Sequence, residues 1–170
     1  MFRFAMNVPP TEGEMKTKKL EIRRESLASP LAQELIAELN AELSAMYPEA
    51  GATHFRLDPE ETAEGRGAFL VAYNNGIPIA CGAIRRIDPT TVEIKRMYVR
   101  QSARGTGAGR AILEALFAQA RDLNVERVVL ETGVRQIAAI GLYESYGFTH
   151  IPLYGEYLGS PLSICMEKRL

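Results

Sequence analysis

The stretch at residues 100–113, RQSARGTGAGRAIL, limits the fold more than any other part of this chain. Gly105, Gly107 and Gly109 alternate with Thr106 and Ala108, and Arg104 and Arg110 bracket them. Residues 91–100 (TVEIKRMYVR) before it have the alternation of a strand. After it, Ala108, Ala111, Ile112, Ala115, Leu116 and Leu123 recur at helical spacing to about Asn124. Residues 127–132 (RVVLET) then form a β-branched run typical of a buried strand. Strand, glycine loop, helix and strand in that order leave room for a right-handed crossover joining two parallel neighbours.

The rest of the chain asks for antiparallel partners. Residues 19–24 alternate Leu20 and Ile22 with charges, as a first strand does. Pro30 opens a helix with Leu31, Leu35, Ile36, Leu39, Leu43 and Met46 on its apolar side, ending at Tyr47-Pro48. Residues 49–66 are turn-rich, with a short helix expected from Asp58-Pro59. Residues 68–73 and 77–87 flank Asn74-Asn75-Gly76, a tight-turn signal, and predict a hairpin. A short helix over 137–146 stops at Gly147, and strands over 148–153 and 162–168 close the chain. This order predicts one mixed sheet covered by helices, an α+β fold. Residues 19–170 read as a single domain. Residues 1–18, with Pro9, Pro10 and Gly13, read as a flexible N-terminal extension.

The glycine spacing rejects two nucleotide loops. A P-loop needs Gly-Lys-Ser/Thr at its end, and Gly109 is followed by Arg110-Ala111. A dinucleotide turn needs a third glycine at 110 or 112, where Arg110 and Ile112 stand. The shared physics remains. A helix start offers unpaired N–H groups and partial positive charge, and glycines let backbone approach an anion. With Arg104 and Arg110 beside it, the loop suits a diphosphate.

Other bulk features exclude function classes. The net charge of -1 gives no global basic field for nucleic acid or an anionic membrane. No apolar run approaches the roughly 20 residues that span a bilayer, and the N-terminus lacks a secretory signal core. The simplest reading places the chain in the cytoplasm, without nucleic-acid or membrane partners. Cys81 and Cys165 lie in apolar strand-like runs and are expected as buried core thiols. The two histidines, His54 and His150, are expected to be structural or solvated. With two Cys and two His far apart, no metal-ligand spacing is present.

Arg104-Gly-Thr-Gly107-Ala-Gly109 resembles the R/Q-x-x-G-x-G/A motif of the GNAT superfamily of N-acetyltransferases. The strand EIKRMYV before it resembles the family's fourth strand. Ala139-Ile-Gly-Leu-Tyr143-Glu-Ser-Tyr-Gly147-Phe148 is similar to the family's A-I-x-L-Y-E-x-x-G-F segment. The C-terminal stretch, Tyr154-Gly-Glu-Tyr157 and then Ser163 to Lys168, is similar to small, mostly uncharacterised bacterial members. The resemblance implies α/β/α layers around a mixed, mostly antiparallel sheet of six to seven strands. It implies acetyl-CoA as co-substrate, its pyrophosphate on residues 104–110 (Arg104, Gly105, Thr106, Gly107, Ala108, Gly109, Arg110). The backbone of Met97, Tyr98 and Val99 would meet the acetyl group and pantetheine, and Gln136 and Tyr146 would also contact the cofactor. Gln136 departs from the asparagine of many relatives, but keeps an amide donor and acceptor.

Acetyl transfer from a thioester needs a neutral amine, a stabilised oxyanion and a proton for the leaving thiolate. A free alkyl ammonium has a pKa of roughly 10.4, so a base is required. Glu93, between apolar Val92 and Ile94, aligns with a base of some relatives and is the expected base; Glu131 on the next strand competes. Tyr143 matches the family tyrosine often assigned as general acid, with Tyr146 as alternate. Direct attack in a ternary complex is expected, since a buried Cys165 suits no cysteinyl intermediate. The acceptor is expected among Tyr47, Glu49, Tyr154, Glu156 and Tyr157, which suit a small cationic amine. A catalytically silent CoA-binding module and a protein lysine or N-terminal acetyltransferase are the alternatives. The sequence leaves open whether the chain forms a homodimer.

Overall fold

The computed structural model describes residues 20–54 and 56–170. The expected extension at 1–18 lies outside the described residues. The elements run β1 (Glu21–Arg24), α1 (Pro30–Met46), β2 (Gly67–Asn74), β3 (Ile77–Asp88), β4 (Thr91–Val99), α2 (Ala108–Asp122), β5 (Arg127–Gly133), α3 (Ile137–Ser145), β6 (Thr149–Ile151) and β7 (Ser163–Arg169). Among the described residues, the seven strands form one sheet ordered β1-β2-β3-β4-β5-β7-β6. Within it the β4–β5 pairing is parallel and the other five are antiparallel.

Local chemistry explains most boundaries. At the start of α1 the Ser29 hydroxyl accepts from the Ala32 N–H at 3.1 Å, and Pro30 takes the first turn. Asn75 and Gly76 at the β2–β3 turn both have positive φ, 51° and 79°, as a type I′ hairpin requires. The short helix expected from Asp58 is a 3-10 turn, Pro59–Thr62, in which Glu61 and Asp58 form a capping box. The strand expected over 148–153 is only Thr149–Ile151. It is an edge strand, and Pro152 cannot extend the ladder.

Each face of the sheet has its own cover. On one face α2 packs Ala108, Ile112, Leu113, Leu116, Phe117 and Ala120 over Leu70, Ile84, Val92, Ile94 and Val128. Leu113, Phe117 and Ala120 lie outside the inner face expected from sequence. They are buried because the sheet and Phe148 cover a stripe wider than the narrow a/d repeat; Phe117 stacks on Phe148 with centroids 6.0 Å apart. On the other face α1 buries Ala32 and Leu35 against Phe69, Val71, Cys81 and Ala83. The layers are therefore helix, sheet, helix. None of the described helices is long and apolar enough to cross a membrane.

Two irregularities in β4 open the sheet beyond Ile94. Its parallel pairing with β5 runs only from Thr91↔Arg127 to Ile94↔Leu130, so the strands part past that pair. Opposite β3, Cys81 faces Tyr98 and Ala83 faces Lys95, so Arg96 and Met97 oppose Gly82 alone. This is a β-bulge, with Arg96 at φ 57°. The extra residue reverses the alternation: Tyr98, which shares sequence parity with Val92 and Ile94, packs on the α1 face instead.

Candidate active site

Where β4 and β5 part, a cleft of about 660 Å³ opens between α1, α2, α3 and the two strands. A volume of this size suits a small-molecule site. Its floor is the part of both strands beyond their last mutual pair: Lys95 to Val99 from β4 and Glu131 to Gly133 from β5. Met97, Tyr98 and Val99 therefore all line the cleft.

The glycine loop forms one end. Arg104, Gly105, Gly107, Ala108, Gly109 and Arg110 line the cleft; Thr106 does not. The Thr106 hydroxyl donates to the Ala103 carbonyl at 2.6 Å and braces the loop from behind. Gly105 and Gly107 have φ of 76° and 88°, and a Cβ at either would meet no atom within 4 Å. These glycines are therefore required by backbone conformation and not by crowding. Gly107 caps α2, whose first internal bond runs from Ala111 to the Gly107 carbonyl at 3.0 Å. The preceding N–H groups have no partner inside the helix and face an open rim.

The flanking arginines differ. The Arg104 guanidinium donates to Val99 O at 3.1 Å and to both Glu42 oxygens at 2.8 and 2.7 Å. It ties the loop to α1 as well as carrying charge. Arg110 lies 5.9 Å from the centroid of the Tyr146 ring. Tyr146 does not line the cleft, and its hydroxyl donates to Glu114 at 2.6 Å. Its side chain faces α2, away from the lining on which its expected cofactor contact would rest.

Gln136 lines the cleft at the start of α3. Its Oε1 accepts from the Gly133 N–H at 2.8 Å and the Thr132 hydroxyl at 3.0 Å. The backbone N–H can only donate, which fixes the amide orientation. Gln136 thus locks the turn after β5.

The two carboxylates have opposite situations. Glu93, the expected base, is fully buried and is absent from the cleft lining. Its Oε2 accepts from Arg85 Nε at 2.7 Å, and its Oε1 accepts from the Tyr154 and Tyr157 hydroxyls, both at 2.8 Å. Both oxygens are occupied by protein donors, so the geometry does not present Glu93 to a substrate. Glu131 lines the cleft just past the last parallel pair. Burial raises its pKa above the usual carboxylate value, opposed in part by the Ser163 hydroxyl, which donates to it at 2.6 Å. Such a carboxyl is ready to accept a proton.

Tyr143 lines the cleft from α3 and is buried. Its ring packs edge-on to Phe148, with centroids 5.7 Å apart. Burial raises the phenol pKa, so the group keeps its proton at neutral pH. Of the expected acceptor residues, Tyr47 and Tyr157 line the cleft, while Glu49, Tyr154 and Glu156 do not. Glu49 instead pairs with Arg135, which holds its carboxyl down at about 2. Glu156 accepts from Lys95 Nζ at 2.7 Å.

His54 lines the cleft, its ring edge-on to Tyr157 with centroids 5.1 Å apart. His150 is exposed, 3.4 Å from Glu144. Cys81 and Cys165 are buried free thiols; burial pushes them up to about 12 and about 11. Sequence reading missed Lys95, Arg96 and Arg135 as lining residues. The first two carried a usable signal, two adjacent cations inside an otherwise apolar strand.

Residues 22–148 match the acetyltransferase (GNAT) family. A protein named IAA acetyltransferase from Azospirillum brasilense is 40% identical over 151 residues, which is 88% of this chain and 97% of that protein. A crystal structure from Klebsiella pneumoniae, named for acyl-CoA N-acyltransferase activity, is 30% identical. It superposes with a TM-score of 0.76 over 89% of this chain and 97% of its own. A GNAT family acetyltransferase from Elizabethkingia anophelis, solved with acetyl-CoA bound, shares the fold at 19% identity. Its TM-score is 0.62 over 89% of this chain and 98% of its own.

Proposed function

The chain belongs to the acetyltransferase (GNAT) family and is an acetyl-CoA-dependent N-acetyltransferase, and from that premise we propose that it acetylates a small-molecule primary amine by direct attack in a ternary complex. The observation that carries this reading is the wedge between β4 and β5. It places the glycine cradle at one end and a cleft-facing carboxyl, Glu131, on the floor. Residues 19–170 act as one acetyltransferase domain; the near-complete coverage of the Azospirillum protein supports this.

The residues divide the work by position. The α2 N-terminus and its glycine loop hold the diphosphate of the co-substrate, with Arg104 and Arg110 at its rim. Past Ile94, β4 has no partner on its β5 side, and there its N–H groups steady the thioester carbonyl. Glu131 takes the amine proton, directly or through water. The amine nitrogen then forms a bond to the carbonyl carbon, and the carbon–sulfur bond breaks. Tyr143 gives its proton to the departing thiolate. Buried thiols that hold their protons favour direct attack over a cysteinyl intermediate.

An amine panel assayed for CoA thiol release from acetyl-CoA tests the proposal. The expected result is turnover of at least one small amine, lost by about 100-fold or more in Glu131→Gln and reduced in Tyr143→Phe. Turnover unaffected by both changes would overturn the assignment. Tight acetyl-CoA binding with no amine accepted would favour the silent CoA-binding module.

A further inference from the structure

We propose that Glu93 is a positioning residue: it clamps the turn at Gly155–Tyr157 onto the sheet, and through Tyr157 it sets the wall of the cleft that receives the acceptor amine. The inference rests on the cleft being the acetyl-transfer site.

Three sets of contacts converge in space. Glu93 sits in β4 directly opposite Arg85 in β3, and the two are bonded at 2.7 Å. Arg85 also donates to Glu61 at 3.0 Å and lies 3.8 Å from Glu156. Two residues further along β4, on the same face, Lys95 holds Glu156 at 2.7 Å. The turn is thus fastened at Tyr154, Glu156 and Tyr157 to three charged side chains of the sheet. Two of the fastenings share one Glu93 oxygen.

Only part of this set reaches the cleft. Tyr157 lines it, with its ring edge-on to His54 and under the Lys95 ammonium at 5.7 Å. Tyr154 and Glu93 do not. The turn's own internal bonds are single-turn backbone contacts such as Tyr157 N to Tyr154 O at 3.0 Å. Glu93 is the buried anion that makes a short 3-10 turn rigid. A hydrogen bond to a charged acceptor is stronger than a neutral one, and this one is shielded from water.

A positioning role and a base role diverge on the conservative variant. In Glu93→Gln the amide oxygen can face Arg85 while its N–H groups donate to the tyrosine oxygens, which accept as readily as they donate. The clamp survives but a base would not. The expected result, with the amine turned over fastest in the panel, is that Glu93→Gln keeps kcat within about threefold and keeps the shape of the pH profile. Tyr157→Phe is expected to raise the amine KM by on the order of tenfold, as for loss of one anchoring contact. The KM for acetyl-CoA stays unchanged. Glu93→Ala should do more, but it takes from the half-buried Arg85 one of its carboxylate partners and can fail to fold; Tyr157→Phe carries the test in that case.

A loss of kcat by about 100-fold in Glu93→Gln together with loss of the acidic limb would make Glu93 the base and overturn the proposal. Equal increases of both KM values, or none, in Tyr157→Phe would overturn it too. A second arm needs no acceptor. Hydrogen exchange over residues 154–162 should quicken in Tyr157→Phe while α2 and the affinity for CoA itself, measured by calorimetry, stay constant. Unchanged exchange there refutes the clamp even if no panel amine reacts.

Discussion

Gly133→Ala should destabilise the protein through a single collision. Gly133 ends β5 in the cleft floor, and its φ lies outside the left-handed region, so alanine can adopt its backbone. Space forbids it. A Cβ there would lie 2.0 Å from the Tyr47 hydroxyl oxygen and 2.4 Å from Cζ. The ring must retreat by about 1 Å to reach the 3.0 Å that real contacts respect. Moving it disturbs the contacts that hold it. Tyr47 is 4% exposed, its oxygen accepts from the Arg135 N–H at 2.8 Å, and the Arg135 guanidinium covers its ring at 5.0 Å. Overpacking costs about 1–3 kcal/mol, and breaking the Arg135 bond adds about 1–3 kcal/mol. The reduced freedom of the unfolded chain returns about 0.4–1 kcal/mol. The net is roughly 1–5 kcal/mol, or a fall in Tm of roughly 3–20 °C for a chain of this size.

Thermal unfolding in two backgrounds checks the cause. In Tyr47→Ala the obstacle is gone, and Gly133→Ala should become neutral or stabilising by up to about 1 kcal/mol. A penalty of equal size in both backgrounds would refute the steric account.

The same geometry sets three further outcomes. Gly107→Ala, at φ 88° with open space around it, should cost about 1–2 kcal/mol of conformational strain and raise the KM for acetyl-CoA about tenfold without changing that for the amine; equal KM values would show that the cap conformation is irrelevant. Glu131 has a folded-state pKa above the ordinary carboxylate value because burial opposes its charge, so folding favours its protonated form. Its contribution is complete below the unfolded value and declines as pH rises through the folded one. Glu131→Gln should therefore raise Tm at about pH 8 and leave it unchanged near pH 4, and a gain at both pH values would contradict that. Cys81 and Cys165, buried and with thiols at about 12 and about 11, should resist a thiol reagent at about pH 8 until the protein unfolds; rapid labelling of the native state would contradict their placement.

Much of the site was legible where local rules govern. The cradle at Gly105–Gly107 followed from helix-start physics, because orphan N–H groups and positive φ are properties of a short stretch of backbone. Tyr143 was legible from its motif. Glu93 was not, because its role depends on who else is bonded to it. Tyr154 and Tyr157 arrive from more than 60 residues away, and Arg85 arrives from the neighbouring strand. Similarly, Tyr98 shares sequence parity with Val92 and Ile94, but only the register against Gly82 shows that an inserted residue turned it to the other face.

The sequence by itself determined the order of elements, the hairpin at Asn75-Gly76 and the glycine loop that starts α2, since each depends on spacing and backbone preference within a few residues. The tertiary structure alone decided which carboxyl faces the cleft. Glu93 and Glu131 stand in neighbouring strands with similar apolar surroundings in sequence. What separates them is the point where β4 and β5 stop pairing, after Ile94 and Leu130. Glu131 lies beyond that point, where the strands part and the cleft begins. Glu93 lies within the paired region, beneath a turn whose two tyrosines share one of its oxygens while Arg85 of β3 holds the other. Burial and access are set by what packs on a residue from distant parts of the chain, and that is not written beside it.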